Sequence, residues 1–314
     1  MVRPLVSVIT PTYNGAPWIR ETLSSALRQS YANLEIIVVD DGSRDSTPDV
    51  LRDFGGRIHV LQTDRAGIGR ARNAALDCAG GEYLAFLDHD DLWAEEKIGR
   101  QVEYLMQHPQ VVVLYTDADE FDDAGTQAKS FFRKFPDLVS GADIAEAMVL
   151  RRAIPLMSTV LIRADFLREH GIRFHPRASG VDDLWLLLEI YLKGGAFAGL
   201  DDRLVKRRLH SGNLSANHYN RFSGRLTVYR ELMLSFPDAP SRTRRLLAWG
   251  LRDANFRVGE WHWGQLELRK ARGFLRAGMG LSRTGIKSFV LWTLTFAPRR
   301  LISMLKTLKQ EWVS

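Results

Sequence analysis

The sequence predicts an α/β protein: a mostly parallel sheet flanked by helices, followed by a helical C-terminal extension. Three observations predict it. Short β-branched apolar runs alternate with helically spaced segments from Val6 to Leu87. The runs are apolar at consecutive positions, as expected of strands covered on both faces. Beyond about residue 216 only helical patterning remains.

Val6–Thr10 reads as a first strand closed by Pro11, and Ala16–Gln29 as a helix through Trp18, Ile19, Leu23, Ala26 and Leu27. Glu35–Asp40 is a second strand bounded by Asp41-Gly42-Ser43. Thr47-Pro48 reads as an N-cap and a first-turn proline opening a helix through Leu51. Ile58–Gln62, Gly69–Cys78 and Glu82–Leu87 supply a strand, a helix and a fourth strand. Lys97–Gln107 is helical, Val111–Tyr115 a strand and Asp117–Asp123 an acidic turn. Gly125–Pro136 has no period and reads as a mobile loop; Ser158–Ile162 is a strand and Asp183–Leu192 an apolar helix. The expected division is a catalytic domain over 1–215 and a helical basic region over 216–314.

One cysteine, Cys78, excludes a disulfide framework and a cysteine-based zinc site, and fits a reducing, cytoplasmic compartment. Met1-Val2-Arg3-Pro4 leads straight into the first strand, with no signal peptide. The net charge of +6 conceals an asymmetry: residues 1–200 carry −8 and residues 201–314 carry +14. Such a basic end suits an anionic partner surface. Phe289–Ala297 is the most membrane-like stretch, but Lys287 and Arg299-Arg300 bound it far short of the ~20 residues of a spanning helix. It is expected to lie in the interface of the inner membrane face as a peripheral anchor, or else to pack on the protein body. Its arginines sit among Trp, Leu and Phe, which favours lipid or protein over nucleic acid.

The chemistry centres on Asp88-His89-Asp90-Asp91, at the carboxyl end of a buried strand. Three bunched carboxylates repel one another and are tolerated best around a cation. Mg²⁺ in particular is held by one or two carboxylates plus substrate phosphates. In open α/β sheets ligands bind at that end of the strands. The alternative is a solvated acidic loop in which Asp91 caps the next helix, which leaves Asp88 and Asp90 without a role. Four more polar clusters fall at strand ends or helix starts. Tyr13 in Pro11-Thr12-Tyr13-Asn14 can stack on a base, and a carboxylate of Asp40-Asp41 can accept from a pyrimidine imino group. Gly67–Asn73 opens a helix whose N-terminus and arginines suit a diphosphate, and Asp182-Asp183 opens the helix after residue 180.

Together with Arg208-Leu209-His210-Ser211-Gly212-Asn213-Leu214-Ser215, these segments resemble the family 2 glycosyltransferases of GT-A fold, in the family's order over residues 5–215. The resemblance implies an inverting enzyme that moves a sugar from a nucleotide-diphosphate sugar to an acceptor hydroxyl, with Mg²⁺ or Mn²⁺. It implies that Asp41 contacts the nucleobase in a pocket lined by Pro11 and Tyr13, and that Asp88 and Asp90 form the D-x-D element with Asp90 the metal ligand. Arg72 falls to the nucleotide and His210 to the diphosphate and metal. Asp183 matches the general base, although the pair here is Asp182-Asp183 where the family often has Glu-Asp.

A dinucleotide-binding dehydrogenase would need G-x-G-x-x-G after the first strand, and no phosphate-binding G-x-x-x-x-G-K-[ST] occurs. The rival of another class is a non-catalytic nucleotide-sugar-binding scaffold; Asp90 and Asp183 kept together argue against it. A UDP or dTDP sugar is the expected donor. The expected acceptor is a glycan or lipid-linked precursor of a cell-envelope polysaccharide, shaped by Gly125–Pro136 and residues 151–180.

Overall fold

The computed structural model describes residues 3–122, 127–128, 142–150, 154–178, 180–213, 217–280 and 283–297. The chain forms two compact units, Met1–Ala216 and Asn217–Ser314. Most of the Gly125–Pro136 loop, Leu214-Ser215 and Arg299-Arg300 lie outside the described residues.

Among the described residues the first unit is built on a nine-stranded sheet. Its strands are β1 (Val6–Thr12), β2 (Leu34–Asp40), β3 (His59–Gln62), β4 (Tyr83–Phe86), β5 (Leu92–Trp93), β6 (Val111–Phe121), β7 (Gln127–Ala128), β8 (Leu161–Arg163) and β9 (Ala196–Arg208). Their order is β3-β2-β1-β4-β8-β6-β9-β5, with β7 paired to β6. The ladder β3-β2-β1-β4 is wholly parallel, as the apolar runs predict. β8 then joins β4 and β6 antiparallel, while β6 and β9 run parallel to each other.

Register positions the site. Thr12 lies opposite Asp40, Asp40 opposite Gln62, and Ile9 opposite Phe86. The segments after β1, β2, β3 and β4 therefore emerge along one edge. β1 continues through Pro11 to Thr12 rather than stopping at the proline. β4 pairs only as far as Phe86, so Pro11 has no bond to β4 for its missing N–H to forfeit.

Helices cover both faces: α1 (Ile19–Leu27), α2 (Thr47–Arg52), α3 (Ile68–Cys78), α4 (Lys97–Gln107), α5 (Ala142–Val149), α6 (Ala164–Glu169) and α7 (Asp182–Leu192). Ile19, Leu23 and Ala26 of α1 and Ile98, Val102 and Leu105 of α4 pack with Val6, Val8 and Val38 in one core. Ala71 and Ala75 of α3 are fully buried, small enough to bring that helix close over β1 and β2.

Three local expectations are corrected. Thr47 lies inside α2, with Ser46 in the N-cap position; the Asp45 carboxylate, one residue earlier, accepts from the Thr47 N–H and hydroxyl. Asp117–Phe121, read as an acidic turn, is the second half of β6. Ser158 belongs to a 3₁₀ turn, Met157–Thr159, with the strand beginning only at Leu161.

The second unit comprises α8 (His218–Ser235), α9 (Ser241–Gly264), α10 (Leu268–Ala277) and α11 (Arg283–Leu294). Asn217 caps α8 by accepting from the Asn220 N–H. Phe256, Trp263, Ala271 and Leu275 form a small core that Leu291, Trp292 and Leu294 partly cover. No helix among the described residues is long and apolar enough to cross a membrane.

Candidate active site

The turn after β4 carries the densest set of interactions. Asp88 is half-buried, and its Oδ1 accepts from Arg72 Nη2 at 2.6 Å. Arg72 Nη1 donates to Asp182 Oδ2 at 2.5 Å, so a single guanidinium ties the D-x-D turn to the start of α7. Arg72 is buried, and its Nε has no hydrogen-bond partner among the described residues. Burial alone would pull its pKa down, but the charges of Asp182 and Asp88, and then Asp183, outweigh that and keep it protonated. Both terminal nitrogens of Arg72, the arginine that the sequence assigns to the nucleotide, are thus engaged by carboxylates. Its neighbours in the motif are structural as well. Asn73 exchanges two hydrogen bonds with the Phe174 backbone, and a Cβ on Gly69 would lie 3.2 Å from the His175 carbonyl oxygen.

Asp90 is held from the other side. Its Oδ2 contacts His210 Nε2 at 2.8 Å and, more loosely, Asn213 Nδ2 at 3.4 Å. His210 Nδ1 accepts from the Gly212 N–H at 3.1 Å, so Nε2 carries the proton and donates to Asp90. Trp18 stacks on the imidazole with ring centroids 3.9 Å apart. In this arrangement His210 orients Asp90, and it would have to exchange tautomers to coordinate a metal through Nε2.

Asp91 does not cap a helix; α4 begins only at Lys97. Its oxygens accept from the Ser158 hydroxyl at 2.5 Å and the Arg208 N–H at 3.1 Å. Burial, reinforced by the charges of Asp90 and Asp88, pushes its pKa well above the usual carboxylate range. Ser158 also accepts from the Asp88 N–H and is itself seated from β5 and α4: Trp93 of β5 donates to its carbonyl oxygen, and Gln101 of α4 to that of Thr159. Arg208 closes the arrangement by donating to the Asp90 carbonyl oxygen and to Glu21.

Asp41 occupies the start of α3. Its Oδ1 accepts from Thr63 Oγ1 and the Ala66 N–H, and its Oδ2 from the Gly67 N–H at 2.8 Å. The anion at that helix N-terminus is thus the chain's own carboxylate, and Oδ2 retains capacity for one further donor. Beside it Tyr13 is half-buried under the Arg65 guanidinium, 4.6 Å from the ring centroid, and Pro11 is buried in β1. Asn14, at φ 51°, donates its N–H to Ser43 Oγ and accepts from the Arg44 N–H, which locks the β1 and β2 loops together.

The donor set suits a cation that also binds substrate phosphate. The described residues contain no group of three metal-ligating side chains. Asp88 and Asp90 each keep one carboxylate oxygen that accepts no hydrogen bond among the described residues. Two hard oxygen ligands completed by phosphate oxygens match the Mg²⁺ or Mn²⁺ pattern.

Ser158, Trp18 and Asn213 were not expected to serve this site. Trp18 and Ser158 were read as parts of a helix face and a strand, and only Asn213 lay in a recognised motif.

The model of the family described as Glycosyl transferase family 2 matches residues 7–146. The putative teichuronic acid biosynthesis glycosyltransferase TuaG of Bacillus subtilis is 33% identical over 73% of this chain and 89% of its own length. The Escherichia coli UDP-Glc:alpha-D-GlcNAc-diphosphoundecaprenol beta-1,3-glucosyltransferase WfaP is 29% identical, over 73% of this chain and 86% of its own. Uncharacterised rickettsial glycosyltransferases also match; the chain spans 15% to 41% of their length. Among solved structures, S. aureus TarS 1–349 with UDP-GlcNAc superposes with a TM-score of 0.68 at 19% identity, covering 98% of this chain and 91% of that one. The Pyrobaculum calidifontis mannosyltransferase PcManGT, in complex with GDP-Man and Mn²⁺, gives 0.61 at 20% identity, covering 98% and 85%. The fold is GT-A, as the resemblance implied, and the chain belongs to glycosyl transferase family 2 and is a glycosyltransferase.

Proposed function

We propose that the enzyme transfers a sugar from a UDP or dTDP sugar to an acceptor hydroxyl with inversion, in the synthesis of a cell-envelope polysaccharide or glycolipid. The observation that carries this reading is the division of labour at the start of α7. Asp182 is buried and committed to Arg72, while Asp183, one residue on, is only half-buried in the same first turn. Asp183 is then the carboxylate able to take the acceptor's proton, with the α7 N-terminus favouring its ionised form. Asp88 and Asp90 would hold Mg²⁺ or Mn²⁺, which offsets the charge that develops on the departing diphosphate. One base and one leaving-group clamp suffice for a single displacement. The remaining acceptor site on Asp41 Oδ2 suits the imino N–H of uracil or thymine, beside Tyr13 and Pro11. The relatives' roles in teichuronic acid synthesis and in glucosyl transfer to a diphosphoundecaprenol acceptor support an envelope glycan, and a lipid-linked acceptor in particular. Such an acceptor places the enzyme peripherally at the inner membrane face.

Two measurements test the donor side. With Mn²⁺, UDP and dTDP should raise the melting temperature by several degrees at a hundredfold excess over Kd, since ligand binding then adds about 2.7 kcal/mol. GDP should raise it less; a larger shift with GDP rejects the assignment of Asp41. Asp90→Ala should bind UDP with the same affinity in Mn²⁺ and in EDTA, while melting within a few degrees of the parent. Like charge in the turn is relieved as the His210 bond is lost, so the fold should hold. Undiminished metal dependence in calorimetric titration would remove Asp90 from the metal site.

A further inference from the structure

Helix α11 carries two apolar faces. One is packed: Gly285 and Ser288 are buried, and the Ser288 hydroxyl donates to the Leu275 carbonyl oxygen at 2.6 Å. A Cβ on Gly285 would lie 2.3 Å from the Gly280 carbonyl oxygen, so that contact admits no side chain and fixes the helix's rotation. The other face is open. Ile286, Phe289 and Val290 are 58%, 52% and 49% exposed, and Phe296, just beyond the helix, is 59% exposed. Positions 286, 289, 290 and 293 follow the i, i+3, i+4, i+7 spacing of a single stripe. Thr293 completes it with its hydroxyl already bonded to the Val290 carbonyl oxygen.

Arg283 and Lys287, both exposed and one turn apart, run along the edge of that stripe. From Leu268 to Ala297 the sequence has six Lys and Arg and no Asp or Glu. Arg269, Arg276, Arg283 and Lys287 have no carboxylate partner among the described residues. A second copy on this face would set basic edge against basic edge, which opposes self-association. An anionic leaflet supplies both the apolar medium and the counter-charge.

We propose that this face of α11 docks onto an anionic lipid surface, with Ile286, Phe289, Val290 and Phe296 entering the interface and Arg283 and Lys287 on lipid headgroups. The proposal deepens the reading of a lipid-linked acceptor and rests on it for its purpose. It is tested by adsorption without turnover, so each can fail alone. Deleting α11 is not a suitable test, because Leu291, Trp292 and Leu294 help cover the core of the second unit.

The experiment is co-sedimentation of the full chain with phosphatidylcholine vesicles, with or without phosphatidylglycerol at one part in four. The parent should partition at least tenfold more strongly onto the anionic vesicles. Ile286→Ser/Phe289→Ser/Val290→Ser should lose about tenfold or more of that partitioning while keeping its melting temperature and UDP affinity. Arg283→Gln/Lys287→Gln should lose about tenfold and most of its salt sensitivity. Val290→Glu alone gives the same reading should the triple variant fail to fold. Parent-like partitioning of the apolar variants overturns the proposal. So does a parent dimer in analytical ultracentrifugation that the triple variant dissolves, since a second copy would then own the face. Partitioning that emerges only once residues 299–314 are removed assigns the face to the chain's own end and overturns it equally.

Discussion

Asp183→Asn is expected to lower sugar transfer by at least ~10²-fold, the low end of what a positioned general base contributes. Nucleotide affinity should hardly change. The substitution preserves shape and leaves an amide oxygen that can accept from the Leu184 N–H, as Asp183 Oδ1 now does at 2.7 Å. Basicity alone is removed. The donor site lies with Asp41 and the Asp88–Asp90 turn, and the Arg72–Asp182 bridge beneath it stays intact. Single-turnover kinetics with saturating donor separate the chemical step from binding, and titration with UDP and Mn²⁺ reports the donor site. Near-normal turnover in Asp183→Asn would exclude this carboxylate. The neighbouring variant, Asp182→Asn, then decides the remainder. Loss of transfer there, with melting lowered by the broken bridge, would move the base to Asp182. Near-normal transfer in both would reject the mechanism.

The half of the fold legible in the sequence is the half built by burial. β1, β2 and β4 are mostly apolar and buried because α3 covers one face and α1 and α4 the other; only Ser7 and Thr10 inside β1 and Glu35 inside β2 interrupt the apolar run. β9 went unread for the opposite reason. Asp201, Asp202, Arg203, Lys206, Arg207 and Arg208 make it look like a charged loop, and Asp117–Glu120 disguise its partner β6 in the same way. The two charge sets answer one another across the ladder: Arg203 pairs with Asp119 at 3.3 Å and Arg207 with Glu120 at 2.7 Å. Opposite charges on adjacent strands replace the apolar pattern, and a single strand read alone does not show it. The site divides similarly. Asp88, Asp90, Asp183 and His210 stand in motifs, whereas the residues that seat them were not legible. Ser158 and Trp18 act through contacts across more than 60 positions of chain, to Asp91 and His210. Arg72 stands in a motif too, but its carboxylate partners were not legible, because an arginine at a helix start suits a phosphate as well as it suits Asp88 and Asp182.

Arg72→Met should be the most destabilising change at the site. Methionine fills much the same space but leaves Asp182 buried with its ion-pair partner gone. Breaking a buried pair by removing one member costs about 3–5 kcal/mol, because the surviving charge stays desolvated. For a unit of this size that corresponds to roughly 6–20 °C in melting temperature. The Asp88 arm adds little to that figure, since its side chain is 35% exposed and solvent screens it. Its consequence is positional: Asp88 loses the donor that orients it, so UDP affinity in Mn²⁺ should also fall. The double variant Arg72→Met/Asp182→Leu separates the two effects. With no buried charge left unpaired it should recover much of the lost stability, as apolar replacements of buried pairs often do. Metal-dependent UDP binding should stay weak, because Asp88 is still unheld. A melting temperature for Arg72→Met within two degrees of the parent would mean that the bridge holds no buried charge. Recovery of UDP binding along with stability in the double variant would mean that Asp88 needs no orienting partner.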